Sequence, residues 1–242
     1  MSATTMPDST PRPTLLRDAI VTFAALMLVL AWDYSGLDLA AARAYGNASG
    51  FAWRDAWLTR DVLHDGGRWL AWGVIAALAI DAARPRSNGL TRRARWYWVA
   101  MTLACAMLVP AIKRLSLSSC PWELAEFGGL ARYVTHWQWG IVDGGPGHCF
   151  PSGHAVAAFA FFTVYFAWRE SRPQLARLCL LVVCVAGVLF GWAQLARGAH
   201  YPSHTLWSAW LCWFACVVAA QLPRLRQRPV MARPAVGDRA GV

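Results

Sequence analysis

Six nearly uninterrupted apolar stretches divide this chain of 242 residues, and polar or charged segments separate them. Each stretch has 17 to 21 residues, about the length that an α-helix needs to cross a bilayer core of roughly 30 Å. The pattern predicts an all-α fold, an integral membrane bundle of six transmembrane helices that forms one domain over residues 15–222. The predicted spans are residues 15–32, 67–83, 96–112, 152–168, 175–195 and 202–222.

The segments outside these spans are expected to be irregular or to lie at the membrane surface. Residues 1–14 are rich in Thr, Pro and Ser, which predicts a disordered N-terminus, and residues 223–242 form a basic tail. Three aromatic residues between positions 51 and 57 favour a short interfacial helix. The first span could instead be a secretory signal cleaved near residue 44, but the later spans favour an uncleaved anchor.

The charged residues predict how the bundle is oriented. The net charge is +10, yet 57% of the residues are hydrophobic and the basic residues are scattered between the spans. We therefore expect a lipid bilayer and no nucleic acid as partner. The two termini and loops 84–95 and 169–177 hold 15 of the 23 basic residues. The positive-inside rule then predicts a bacterial inner membrane protein with both termini in the cytoplasm and loop 114–150 in the periplasm.

One polar motif, His-Cys-Phe-Pro-Ser-Gly-His at residues 148–154, opens directly into the fourth span. Pro151 is suited to the first position of a helix, so the amides that follow it would be free to bind an anion. Gly153 permits close approach, Ser152 adds a hydroxyl, and His154 can exchange a proton near neutral pH. The motif predicts phosphate chemistry, although an ordinary loop-to-helix junction would look similar.

Other polar residues lie at the same predicted end of the bundle. Lys113, the one lysine of the chain, ends the third span, and residues 194–204 connect the fifth span to the sixth. Because four helix ends meet on this side, we expect these side chains to surround one anion. The candidates are Lys113, Gln194, Arg197, His200 and His204.

These residues resemble the motifs of the type 2 phosphatidic acid phosphatase superfamily. Its central motif is matched at 151–154, and residues 198–203 resemble its third motif. The resemblance implies that His200 attacks phosphorus to form a phosphohistidine and that His154 protonates the leaving oxygen. It implies that Lys113, Ser152 and Gly153 hold the phosphate, with no metal or other cofactor.

Two motifs depart from the family pattern. The first motif would place Arg where Cys120 stands, and the third would have Ser-Arg at 193–194 and Asp where His204 stands. Arg197 lies one helical turn beyond Gln194 and could replace the missing arginine; Arg114 is a weaker substitute. His204 could orient His200 as the Asp would. Further carboxylates available in the long loop are Glu123, Glu126 and Asp143.

The remaining histidines and cysteines suggest three smaller hypotheses. Cys120 and Cys149 both lie in the oxidising compartment and form either a disulfide or two free thiols. His200 and His204 are four residues apart, as in some zinc sites, but Pro202 separates them and no third ligand is evident. The other two histidines of the outer side, His64 and His136, have no motif context and are expected at the interface or in solvent.

Together these observations predict a membrane lipid phosphatase with a periplasmic active site. Substrates implied by the resemblance are undecaprenyl diphosphate, lipid A phosphate and glycerophospholipid phosphates. A lipid phosphotransferase would use the same residues, and a degenerate binding or scaffold protein would keep the fold without needing His200. A transporter is disfavoured because the spans carry few polar residues at mid-membrane. The sequence does not indicate the oligomeric state.

Overall fold

The computed structural model describes residues 13–85 and 90–226, and this part of the chain is mostly helical. Much of the predicted N-terminal segment (residues 1–12) and of the basic tail (residues 227–242) therefore lies outside the described residues. The α-helices are α1 (Pro13–Tyr34), α2 (Leu37–Arg43), α3 (Gly67–Ala83), α4 (Arg92–Lys113), α5 (Val156–Phe159), α6 (Phe162–Trp168), α7 (Pro173–Ala196) and α8 (Pro202–Arg226).

Shorter elements connect these helices on the side where α4 ends. Strands β1 (Gly46–Asn47) and β2 (Gly50–Phe51) form a small antiparallel hairpin, and a π-helical segment, Leu58–Gly66, runs directly into α3. The interfacial helix predicted at 51–57 is wrong, because Phe51 belongs to the hairpin and buries its ring against Phe127. Two 3₁₀ turns, Pro121–Glu123 and Ala125–Phe127, lie in the long loop.

Four helices are long and apolar enough to cross a membrane: Thr14–Tyr34, Arg92–Lys113, Pro173–Ala196 and Pro202–Leu222. The lipid-facing character of α7 is visible in the exposure of Leu178, Leu181, Val185 and Val188. The membrane character and four of the six predicted spans are thereby confirmed. The second predicted span corresponds to α3, which has 17 residues.

The predicted fourth span is not one continuous helix. It consists of α5 and α6, which have 4 and 7 residues. Both pack against α4, α7 and α8, and their side chains, including Phe159, Phe162 and Phe166, are buried in the main core. The apolar run therefore lies in the protein core, and its two helices are shorter than the predicted span.

Helix packing gathers several helix ends on one side of the bundle. Helix α1 packs against α8, α3 against α4, and α5 and α6 against α7. In consequence the end of α4 and the end of α7 lie near the starts of α5 and α8, which is the arrangement the sequence predicted for its polar residues.

Candidate active site

A cavity of about 390 Å³ lies where these helix ends meet. Its volume is within the usual range of small-molecule sites. No carboxylate lines it among the described residues, whereas three basic side chains and three imidazoles do. The charged, imidazole and amide side chains of its lining are His64, Arg68, Lys113, His154, Gln194, Arg197 and His200.

His200 reaches this cavity from the tight turn between α7 and α8. Gly198 makes the turn with a φ of +73°, where other residues are strained, and a Cβ there would lie 2.4 Å from the Phe51 ring. The His200 side chain is buried, and its Nδ1 lies 3.4 Å from Nδ1 of His204. Since one ring nitrogen faces His204, Nε2 is the nitrogen left for a ligand.

The surroundings of His200 keep its imidazole uncharged. Burial lowers the pKa of His200 well below its ordinary value, and the positive charge of Lys113 lowers it further. A neutral imidazole has a lone pair to donate, so this environment suits a nucleophile.

His204 lies behind His200 and is not part of the cavity lining. Helix α8 begins at Pro202, as predicted, and its first turn carries His204, which is fully buried. Asp38 anchors this turn, because its carboxylate accepts hydrogen bonds from the Ser203 backbone N–H at 3.0 Å and from the Ser203 hydroxyl. His204 is therefore placed to orient His200, while direct contact with a ligand falls to His200.

His154 lines the cavity beside the π-helical segment. Its Nε2 lies 3.0 Å from the Leu63 carbonyl, so Nε2 carries the proton in the neutral ring and Nδ1 is left to titrate. Burial, followed by the charge of His64, lowers the pKa of His154 to about 4. This pKa keeps His154 neutral near pH 7, and a nearby anion would raise it.

The helix start predicted at Pro151 is wrong. Ser152 N–H donates to the His204 carbonyl at 3.1 Å, and Ser208 Oγ donates to the Ser152 carbonyl at 2.9 Å. These bonds hold the motif against α8, so helix α5 begins only at Val156. The Ser152 amide is consequently occupied, and its side chain is not part of the cavity lining.

Three further polar lining residues, Lys113, Gln194 and Arg197, come from the ends of α4 and α7. A Cβ added to Gly153 would lie 4.0 Å from Lys113 Nζ, so the lysine side chain lies beside Gly153 of the central motif. Arg197 enters beside it and is held by a 2.9 Å bond from Nε to the Arg54 carbonyl. Gln194 is 2% exposed, and its Nε2 has no hydrogen-bond partner among the described residues. Arg114 is exposed and lies outside the cavity lining.

Cys120 and Cys149 form a disulfide at the edge of the cavity. The Cys149 sulfur lies 3.5 Å from His200 Nδ1 and 3.2 Å from the Ala199 carbonyl oxygen. Both sulfurs lie close to the His200 ring, but a disulfide offers no thiolate to a metal. The disulfide therefore packs the long loop against the nucleophile candidate.

The three carboxylates considered in the long loop hold that loop together. Asp143 accepts bonds from the Ser119 N–H at 2.6 Å and the Ser119 hydroxyl at 2.9 Å. Glu123 accepts from the Cys120 N–H at 3.0 Å, and Glu126 pairs with Arg43. None of the three lines the cavity.

The sequence reasoning missed several residues around the cavity. His64 and Arg68 line it from the segment before and within α3, and His136 is buried and paired with Asp33 at 3.3 Å. The His136 side chain is therefore not in solvent, whereas His64 is partly exposed and its position at the interface stays a prediction. No sequence motif marks these residues, since only the packing of α1, α3 and the long loop brings them to the site.

The architecture and this cavity define a class: a helical membrane protein with a cationic, histidine-containing cavity where several helix ends meet. Residues 93–228 match the PAP2 superfamily, and the chain belongs to this superfamily. The predicted resemblance is confirmed.

A solved structure shares the fold. It is described as the crystal structure of the first transmembrane PAP2-type phosphatidylglycerolphosphate phosphatase from Bacillus subtilis. The match has a TM-score of 0.55 and covers 86% of this chain and 98% of that chain, at 15% sequence identity. No curated protein sequence matches the chain.

Proposed function

We propose that this protein is a membrane lipid phosphatase that removes a phosphate from a lipid monoester or diphosphate at the periplasmic face of the inner membrane. The observation that supports the proposal is the joint presence of His154, His200, Lys113 and Arg197 around one cavity without carboxylates among its described lining residues. The position at helix ends suits a substrate whose tail stays in the bilayer while its phosphate enters the cavity.

In the first step, the lone pair of His200 Nε2 forms a bond to phosphorus while the bond from phosphorus to the leaving oxygen breaks. His154 Nδ1 gives its proton to that oxygen. Lys113, Arg197 and the Gln194 amide stabilise the charge on the phosphoryl oxygens, and preorganised donors of this kind are usually the largest catalytic contribution.

In the second step, water attacks the phosphohistidine. His154, now neutral, takes a proton from the water as the nitrogen–phosphorus bond breaks, which releases inorganic phosphate and restores His200. The negative charge of the bound substrate is what raises the pKa of His154 enough for it to carry the first proton.

The proposal is tested with the full-length protein purified in detergent and a panel of lipid phosphates, by measuring inorganic phosphate release. We expect His200→Ala to lower the rate by about a thousandfold or more. With labelled substrate and an alkaline quench, the unchanged protein should carry label that His200→Ala lacks, and His154→Asn should slow both steps because it removes the acid of the first and the base of the second.

His148→Asn is the matched control, since His148 is exposed, has a positive φ that Asn tolerates, and lies in the same motif. Its rate should equal that of the unchanged protein. Equal rates for His200→Ala and the unchanged protein would refute the nucleophile assignment. No release from any lipid phosphate would favour a binding or scaffold protein of the same fold.

A further inference from the structure

Two cationic or titratable side chains of the cavity, His64 and Arg68, belong to none of the motifs. His64 comes from the π-helical segment and Arg68 from the first turn of α3. A π-helical segment is rare and occurs frequently at functional sites. Asp65 lies between the two in sequence and orients His64, because its carboxylate is 3.0 Å from His64 Nδ1; the same carboxylate is 3.8 Å from Arg68 Nη2.

Both residues lie on the His154 side of the cavity. The His64 and His154 rings are 4.5 Å apart between centroids, and the Leu63 carbonyl accepts from His154. Because Nδ1 of His64 faces Asp65, its Nε2 is free to meet a ligand. In the proposed function His200 attacks from one side and the leaving group departs on the other, so His64 and Arg68 flank the leaving group.

The charge of the lining exceeds what one phosphate needs. A phosphate monoester carries about −1.5 to −2 charges near neutral pH. Three basic side chains, Lys113, Arg197 and Arg68, line the cavity, together with the imidazoles and without a carboxylate among the described lining residues. The exposed contact of Arg68 with Asp65 is long and contributes little.

We infer that His64 and Arg68 form a second anion subsite, which holds the inner phosphate of a diphosphate-linked substrate while His200 attacks the outer one. This inference rests on the proposed function. The leaving group is then a phosphate, which needs positive charge around its oxygens more than it needs a proton. A phosphate leaving group therefore depends less on the proton of His154 than an alkoxide would.

The first test measures binding of inorganic diphosphate and inorganic phosphate to the full-length protein in detergent by calorimetry. We expect diphosphate to bind about tenfold more tightly, the value of one charge-assisted hydrogen bond. Arg68→Gln and His64→Asn should each remove most of that difference. Arg60→Gln, an exposed arginine of the same π-helical segment that lies outside the cavity lining, should leave it unchanged.

The second test compares kcat/KM for a monophosphate and a diphosphate on the same lipid tail. Arg68→Gln should lower the ratio of diphosphate to monophosphate hydrolysis about tenfold, and Arg60→Gln should not change it. Equal anion affinities in the unchanged protein, or an equal loss on both lipids in Arg68→Gln, would overturn the subsite. Absence of phosphate release from every lipid would instead contradict the proposed function, and the binding test would still decide the subsite.

Discussion

Buried or half-buried basic side chains occur at both ends of the helical bundle, but they differ in whether they form a direct ion pair. At the end where α1 and α4 begin, Arg169 donates to both Asp18 oxygens at 2.9 and 2.7 Å, and its guanidinium lies 4.4 Å from the Phe166 ring. We call this the paired end. At the opposite end, the site end, Lys113 and Arg197 form no ion pair with any described residue.

The difference separates structural charges from functional ones. An internal counter-ion at the paired end satisfies the buried charge permanently, so the folded protein needs nothing more there. At the site end Lys113 and Arg197 have no direct ion pair within the described part of the chain and so remain available to a bound anion, while burial, followed by the charge of Lys113, lowers the pKa of His200. The comparison predicts that substitutions at the paired end change stability, whereas those at the site end change ligand chemistry.

Asp18→Asn tests the paired end and should have the largest effect. The substitution leaves Arg169 buried without its counter-ion, which costs about 3–5 kcal/mol of the free energy of unfolding. The thermal unfolding temperature in detergent should fall by roughly 10 °C, while the phosphate affinity of the folded fraction stays the same.

The control is Arg17→Gln. Arg17 contacts the same carboxylate at 3.6 Å, but its side chain is 55% exposed, so its removal should cost less than about 1 kcal/mol. Similar losses for the two variants would contradict the assignment of Arg169 as the buried partner.

Lys113→Met tests the site end. Removing one preorganised cation should lower kcat by about a hundredfold to a thousandfold, with no loss of thermal stability because the cation has no partner to strand. The neighbouring Arg114→Gln should leave both quantities unchanged, since Arg114 is exposed outside the cavity lining. A stability loss in Lys113→Met as large as that in Asp18→Asn would remove the contrast between the two ends.

The sequence predicted the part of the site whose residues lie at ordered helix ends. Lys113 ends α4 and His204 lies in the first turn of α8, so counting along the apolar spans was enough to place them. The helix start predicted at Pro151 was wrong, because the Ser152 N–H donates a hydrogen bond to the His204 carbonyl. This bond joins distant segments of the chain, so local helix propensity cannot predict it.

The sequence did not predict the contribution of the first 70 residues to the site. Asp38 reaches it because α2 packs against α7 and α8, and His64 and Arg68 reach it because the π-helical segment packs against α7 and α3 packs against α4 and α5. Asp38 is the clearest example: the third motif lacks its Asp, and a carboxylate from α2 anchors the neighbouring Ser203 instead. Spacing within a motif cannot reveal a group supplied from another helix.

The smallest predicted effect is a pH dependence of stability at the site end. The pKa of His200 is lowered well below its ordinary value by burial and by Lys113, while in the unfolded chain it is near 6.5. Between these two values the unfolded state binds a proton that the native state does not. The free energy of unfolding therefore falls as the pH is lowered below about 6.5, by up to about 1.4 kcal/mol per pH unit for this residue. His154, whose pKa is about 4, adds a similar slope.

The free energy of unfolding, measured in detergent from about pH 7 to pH 5, should fall less steeply in His200→Asn, because the contribution of one histidine to the slope is lost. An unchanged slope would mean that His200 titrates normally and that the site end tolerates an added positive charge, which would end its contrast with the paired end.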